Sequence, residues 1–359
     1  MKKLIVTLII FISFMSCKQE QQMGPREISK VGIDTIFPWK KDSLKFSIRA
    51  IELSEEHLWY AGSNGSYGMI SLEGGDFGYG KVKKTDTTDY GLRSSAIIND
   101  SYFVLTIENP AIITKYDFDH SNPVNSKSRP VYKEEHEKAF YDSMDFWNDL
   151  EGIAIGDPTE DCMSILITRD GGETWNKLSC DDLPKAKDGE AAFAASDSNI
   201  AIVGDNTWVA TGGKTSRVIY SPDKGTTWEV FETPIVQGLE TTGMYSIDFY
   251  DELKGYAIGG DYTKPDDNTA NKILTNDGGK TWELVAQGQE PGYRSCVQYV
   301  PNRGGKELVA IGFKGIDYSN DGGHNWKHLS DEGFYTIRFL NDSIAYAAGR
   351  GRISKLTFK

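Results

Sequence analysis

Short apolar runs closed by glycine recur along the chain: Gly152-Ile-Ala-Ile-Gly156, Ile200-Ala-Ile-Val-Gly204, Gly255-Tyr-Ala-Ile-Gly259, Leu308-Val-Ala-Ile-Gly312 and Ile344-Ala-Tyr-Ala-Ala-Gly349. Apolar runs this short, bounded by turn residues, read as buried strands rather than helices. Ahead of them lie seven strand starts that align as Ile48-Arg49-Ala50-Ile51, Leu92-Arg93-Ser94-Ser95, Tyr141-Asp142-Ser143-Met144, Glu190-Ala191-Ala192-Phe193, Met244-Tyr245-Ser246-Ile247, Tyr293-Arg294-Ser295-Cys296 and Phe334-Tyr335-Thr336-Ile337. Their third residue is small in every case, as expected of innermost strands that crowd one axis. The glycine-closed run that follows is then a second strand.

A second repeat lies further along each unit. Thr168-Arg-Asp170-Gly-Gly172-Glu-Thr174-Trp175 recurs as Ser221 to Trp228 around Asp223, Thr275 to Trp282 around Asp277, and Ser319 to Trp326 around Asp321. These are Asp boxes, S/T-x-D-x-G-x-T-W. The Asp accepts hydrogen bonds from its own turn, a glycine takes positive φ, and the Trp fills the gap to the next repeat. The tryptophans are 53, 54 and 44 residues apart, about one four-stranded blade each. All-β architecture follows: a seven-bladed β-propeller, with six blades as the alternative. The first two blades lack clear boxes, and Asp119 to His136 reads as an outer insertion of the second. The last blade runs out of chain after three strands, so Val31 to Phe37 is expected to supply its fourth and close the ring.

With 37 glycines and 42 aromatic residues (16 Phe, 18 Tyr, 8 Trp), composition agrees with many short strands and tight turns. A net charge of -13 offers no overall phosphate-neutralising surface, so nucleic acid is not an expected partner. No Gly-rich phosphate loop, nucleophile elbow or zinc spacing is present, and no cofactor or metal is expected.

Residues 1–16 read as a signal peptide: Met1-Lys2-Lys3 precedes a thirteen-residue, mostly apolar core from Leu4 to Ser16, too short to span a bilayer. Phe14-Met15-Ser16-Cys17 resembles a bacterial lipobox, which makes Cys17 the lipidation site and residues 17–30 a polar tether to the membrane. One propeller domain then covers 31–359. Of the remaining cysteines, Cys162 and Cys180 flank one box and either pair or stay buried thiols; the compartment permits a disulfide.

The boxes and Met144-Asp-Phe-Trp147, Gly189-Glu-Ala-Ala-Phe-Ala-Ala-Ser196, Gly259-Gly-Asp-Tyr262 and Gly292-Tyr-Arg-Ser295 resemble the propeller family of photosystem II stability and assembly factors and their secreted bacterial relatives. The resemblance implies a propeller that binds a partner. A lipid tether facing the periplasm or cell exterior departs from a photosynthetic role.

Candidate chemistry lies at the channel mouth, where innermost strands begin. Just before the small residue stand Arg49, Arg93, Asp142, Ala191 after Glu190, Tyr245, Arg294 and Tyr335. Three arginines on one ring make an anion cradle, since guanidinium matches carboxylate bidentately. Asp157, Asp261, Tyr262 and Arg350 join from loops on the same face. Two functions follow. In the first, a monomeric, non-catalytic module grips the terminal carboxylate of a protein or an acidic glycan. In the second, a sialidase-like glycoside hydrolase uses Tyr245 or Tyr335 as nucleophile, Glu190 to activate it, and Asp142 or Asp157 as acid/base.

Overall fold

The computed structural model describes residues 26–38, 46–73, 77–84, 88–118 and 127–359. Residues 1–25, on which the expected signal peptide, Cys17 and most of the expected tether fall, lie outside the described residues. Every regular element among the described residues is a strand. They form seven antiparallel sheets, so the ring has seven blades. In chain order these are blade 1 (48–81), blade 2 (92–134), blade 3 (141–177), blade 4 (200–232), blade 5 (242–284), blade 6 (296–330) and blade 7 (336–358 with 31–38).

Ring closure follows the expected course. Val31–Pro38 pairs antiparallel with Arg352–Phe358, Val31 lying opposite Phe358 and Thr35 opposite Ser354. The residues before it dock as well. Ile28 is buried with Val309, Phe334 and Ile337 between blades 6 and 7. Arg26 Nε donates to Glu307 Oε2 at 2.9 Å, and its Nη1 donates to the Ser343 hydroxyl at 3.0 Å.

The core lies between blades, because each sheet buries both faces against its neighbours. Ala96 and Phe103 of blade 2, for example, pack with Met144, Ala154 and Trp175 of blade 3. The four repeat turns fasten these contacts. Asp170 Oδ1 accepts the Thr174 amide at 2.9 Å and Oδ2 accepts its hydroxyl at 2.7 Å; Asp223 and Asp277 repeat the pattern, and at Asp321 the Asn325 side-chain amide takes the place of the hydroxyl. Trp175 and Trp282 are buried, while Trp228 and Trp326 are partly so. The box glycine also faces the preceding blade. At Gly172 (φ 74) an added Cβ would stand 2.3 Å from the Phe103 ring, and at Gly323 (φ 87) it would stand 2.1 Å from Tyr256, so both dihedral and space demand glycine.

Two expectations are corrected and one open alternative is resolved. In blade 4 the innermost strand is Ile200–Val203 and the second is Asn206–Ala210. The tight turn at Gly204 (φ 61) joins them, so Glu190 to Phe193 is not an inner strand. Glu190–Ala191 instead pairs with Gly212–Gly213, and residues 192–199 run across the central channel. In blade 2, Lys127–Glu134 is the outer strand rather than part of an insertion, paired along Ala111–Asp117; residues 119–126 lie outside the described residues. Finally, Cys162 and Cys180 are joined in a disulfide while Cys296 is a buried free thiol, which resolves the pairing that spacing left open.

Candidate functional site at the channel mouth

Four innermost strands carry a β-bulge at one equivalent place: between Ile48 and Ala50, Leu92 and Ser94, Tyr141 and Ser143, and Met244 and Ser246. A bulge leaves one residue outside the ladder and re-aims its side chain. The bulged residues are Arg49, Arg93, Asp142 and Tyr245, and Tyr335 occupies the same position in blade 7, ahead of Thr336 opposite Ala348. Local backbone irregularity thus presents the candidate residues to the mouth.

Arg294 does not belong to this ring. Cys296 pairs with Ile311 as Ser143 pairs with Ile155, which makes Ser295 the ring residue of blade 6. Displaced by one position, Arg294 turns to the other side. It is buried inside its own blade, where Nε donates to Asp317 Oδ2 at 2.6 Å and Nη1 to the Tyr293 carbonyl at 2.8 Å. Glu190 also leaves the site. Its carboxylate, almost fully buried, accepts from Arg217 Nη2 at 2.5 Å and from the Thr211 hydroxyl at 2.7 Å. No Tyr-Glu pair stands beside the arginines among the described contacts.

Segment 192–199 fills the space that the small inner residues leave, and it bonds to all six other blades. The Ala192 amide donates to Asp157 Oδ1 at 2.8 Å. The Ala194 carbonyl accepts from Arg93 Nη1, and the Ala195 carbonyl from Arg49 Nη1, each at 2.9 Å. The Ser196 carbonyl accepts from the Thr336 hydroxyl at 2.8 Å, and the Ser196 hydroxyl donates to the Ser295 carbonyl at 2.6 Å. Asp197 Oδ2 accepts the Ser95 amide at 2.9 Å, the Ser198 hydroxyl reaches Ser246 at 2.8 Å, and Asn199 meets Ser143 at 3.2 Å. The channel is therefore closed in its middle.

Above this closure, Arg49 and Arg93 are half-buried neighbours, and among the described residues neither has a carboxylate within 4.0 Å. Burial lowers the pKa of Arg49; burial and then the Arg49 charge bring Arg93 down to about 10. Arg49 lies 3.9 Å over the Tyr335 ring. An aromatic wall continues the surface: Phe193 stacks on Tyr245 at 3.9 Å, and Tyr293 meets Tyr245 edge-on at 4.8 Å and Phe313 at 5.4 Å. Tyr262 and Phe313 form its exposed rim. Asp261 is spent on its own turn, accepting the Thr263 amide at 2.9 Å, and Arg350 is solvent-exposed beside Ser47. Asp142 is buried, and burial with neighbouring Asp157 pushes its carboxyl well up; burial also raises Asp157, to about 6. Burial likewise raises the Tyr245 hydroxyl far above its ordinary range, and that hydroxyl donates to the Thr241 carbonyl at 2.8 Å. A nucleophile requires the reverse shift and a base at its proton.

A second ring, three residues further along the inner strands, escapes the sequence pattern. It comprises Glu52, Ala96, Asp145, Ala201, Asp248, Gln298 and Arg338 in blade order, counted from the bulge and from the pairings of Ile202, Gln298 and Arg338. The available signal is a charge in the middle of an otherwise apolar innermost strand. Burial raises Glu52 to about 8, Asp248 to about 7 and Asp197, which hangs above them, to about 7; Asp145 beside them is exposed to the channel. Such carboxyls take up protons on folding, so their cost to stability grows as pH rises from about 4 through about 8. Asp248→Asn should therefore stabilise the protein more at about pH 8 than at about pH 5, by about 1 kcal/mol after allowance for water in the channel. Thermal melts at the two values check this, and an equal shift at both would contradict it.

No protein-family model and no curated protein matches the chain. Solved structures do. YCF48 bound to D1 peptide superposes with a TM-score of 0.62 at 13% identity, covering 93% of this chain and 99% of that one. YCF48 from Cyanidioschyzon merolae gives 0.61 at 13%, covering 90% and 98%. The WD40 repeats of RRP9 give 0.63 at 11%, covering 93% and 100%. At such identities the likeness establishes the propeller fold, which the YCF48 structures share with WD40 proteins.

Proposed function

We propose that the chain is a non-catalytic binding module whose channel mouth grips a carboxylate, supplied by a protein terminus or an acidic glycan. The observation that carries this reading is the pair Arg49 and Arg93: two guanidiniums held side by side and half-buried, neither in a salt bridge among the described residues, with the buried Asp142 carboxyl as the nearby acidic group of Arg93. Like charges so placed repel each other, and an anionic ligand removes the penalty while supplying the bidentate geometry that guanidinium favours. Crossing-segment carbonyls hold each arginine by one N–H and fix its direction. The aromatic wall beside them offers apolar contact to whatever carries the carboxylate. A propeller of like fold, YCF48, has been solved with a bound peptide, which supports a protein ligand. The separation of Glu190 and the raised Tyr245 hydroxyl speak against the glycosidase.

In this reading Cys17 is lipidated and tethers a monomeric Asp-box propeller outside the cytoplasmic membrane. The Cys162–Cys180 disulfide supports an oxidising compartment.

Calorimetry of the purified protein with free-acid peptides, the same peptides amidated, glucuronic acid and sialic acid tests the proposal. Binding should require the free carboxylate and weaken by about a hundredfold in Arg49→Ala/Arg93→Ala, which corresponds to about 2.7 kcal/mol. Arg294→Ala should retain affinity while losing stability, because it removes the guanidinium partner of buried Asp317 and leaves that carboxylate with His328. Equal binding of amidated peptides, or an unaffected double variant, would refute the carboxylate site. Turnover of a sialoside would restore the glycosidase.

A further inference from the structure

Below the crossing segment the channel widens into a polar chamber of about 160 Å³ lined by Glu52, Asp145, Asp197, Asp248, Gln298 and Arg338. It opens through a vestibule of about 400 Å³ whose walls include Phe249, Tyr250, Tyr299 and Phe339. This opening lies toward the strand ends that carry the repeat turns, opposite Arg49 and Arg93.

Four carboxyls face one guanidinium. Arg338 is committed to Glu52 Oε1 at 3.2 Å, to the Asp197 carbonyl at 2.8 Å and to the Thr336 hydroxyl at 3.1 Å. Asp145 and Asp248 accept only backbone amides among the described contacts: Phe146 at 2.7 Å for Asp145, and Phe249 at 3.0 Å and Tyr299 at 2.6 Å for Asp248. Asp197 adds a separate observation. It is only 7% exposed; Oδ2 accepts the Ser95 amide, and buried Oδ1 has the Ser94 hydroxyl beside it but outside good hydrogen-bond geometry. A buried carboxylate oxygen so poorly served gains from a donor that a ligand supplies.

We propose that this chamber binds an organic cation, an alkylammonium or guanidinium group that enters through the aromatic vestibule. Aromatic faces attract such a group on the way in, and its several N–H donors suit acceptors spread around a wall. Among the described residues, no three acidic, imidazole or thiol groups converge closely enough to ligate one metal ion. The groups facing the ligand are Glu52 from blade 1, Asp145 from blade 3, Asp248 from blade 5, Arg338 from blade 7 and Asp197 from the crossing segment; blades 2, 4 and 6 contribute only Ala96, Ala201 and Gln298. Buried Cys296 lies near Arg338. The raised carboxyl pKa values make protons competitors for the site, so binding strengthens with pH while an alkylamine keeps its charge.

Calorimetry of the purified protein with n-butylamine, n-butanol, calcium chloride and a short lysine-containing amidated peptide, at about pH 8.5 and about pH 5.5, decides the matter. The amine should bind and the isosteric alcohol should not. Affinity should fall by about tenfold at the lower pH, and by about tenfold in Asp145→Asn/Asp248→Asn at the higher pH. The same double variant should still bind carboxylate probes at the mouth, which keeps this site's failure distinct from failure of the other. Tighter binding of the peptide than of butylamine would support the proposal and assign the cation to a partner's lysine. Equal heats from butanol, preferential binding of calcium, no saturation below about 100 mM amine, or an unchanged double variant would overturn it.

Discussion

A chain shortened to begin after Pro38 should lose its cooperative fold, melting at least about 10 °C lower or aggregating. The deletion removes the fourth strand of blade 7 and leaves the edge of Arg352–Phe358 open. It also takes Ile28 from the seam between blades 6 and 7, worth about 1.5–3 kcal/mol. Loss of Arg26 deprives the buried Glu307 carboxylate of one of its two guanidinium partners, the other being Arg303. Differential scanning calorimetry and light scattering measure both outcomes. A melting temperature within a few degrees of the full chain would mean that three strands suffice and that closure is ornamental. Ile28→Asp isolates the seam contribution without opening the edge.

Ser196→Leu should destabilise the protein by about 3–5 kcal/mol and weaken anion binding without touching an arginine. Ser196 is fully buried at the centre of the ring, and its hydroxyl bonds to the Ser295 carbonyl and to Ser198. Leucine forfeits those bonds and adds volume where six blades converge on one segment. Displacement of that segment moves the Ala194 and Ala195 carbonyls that aim Arg93 and Arg49. Ser196→Ala, which removes the bonds but fits the space, should cost about 1 kcal/mol and leave affinity nearly intact. Urea titrations beside calorimetry separate the two effects. Equal stability of the two variants would show that the segment can yield, and the arginines would then owe their placement to something else.

The blades were legible because each repeat encodes its own turn. Asp170, Gly172 and Trp175 report local geometry, and local geometry is what a sequence motif carries. Positions in the ring depend on register instead, and a one-residue error is invisible in a strand read alone. Arg49, Arg93, Asp142 and Tyr245 align because their strands share the bulge; Arg294 precedes a strand that starts one residue later. Blade 4 misled for a different reason. Glu190-Ala-Ala-Phe193 mimics an inner strand because small residues suit both a crowded axis and a segment threaded through it, and Ile200 to Gly204 mimics a second strand because any buried hairpin arm is apolar. Glu52, Asp145, Asp248 and Arg338 were in plain sight as lone charges, yet only the closed ring brings them to one chamber. Whether a guanidinium has a partner is likewise decided by distant residues, and no spacing reveals that Arg217 claims Glu190 or that Asp317 claims Arg294.

The crossing segment also divides the charged groups of the channel into two sets. Arg49 and Arg93, with Asp142 and Asp157, stand on one side of it, and Glu52, Asp145, Asp248 and Arg338 stand on the other, while Asp197 belongs to the segment itself. A charge bound at either end therefore acts on the other through packed protein rather than through a continuous column of water.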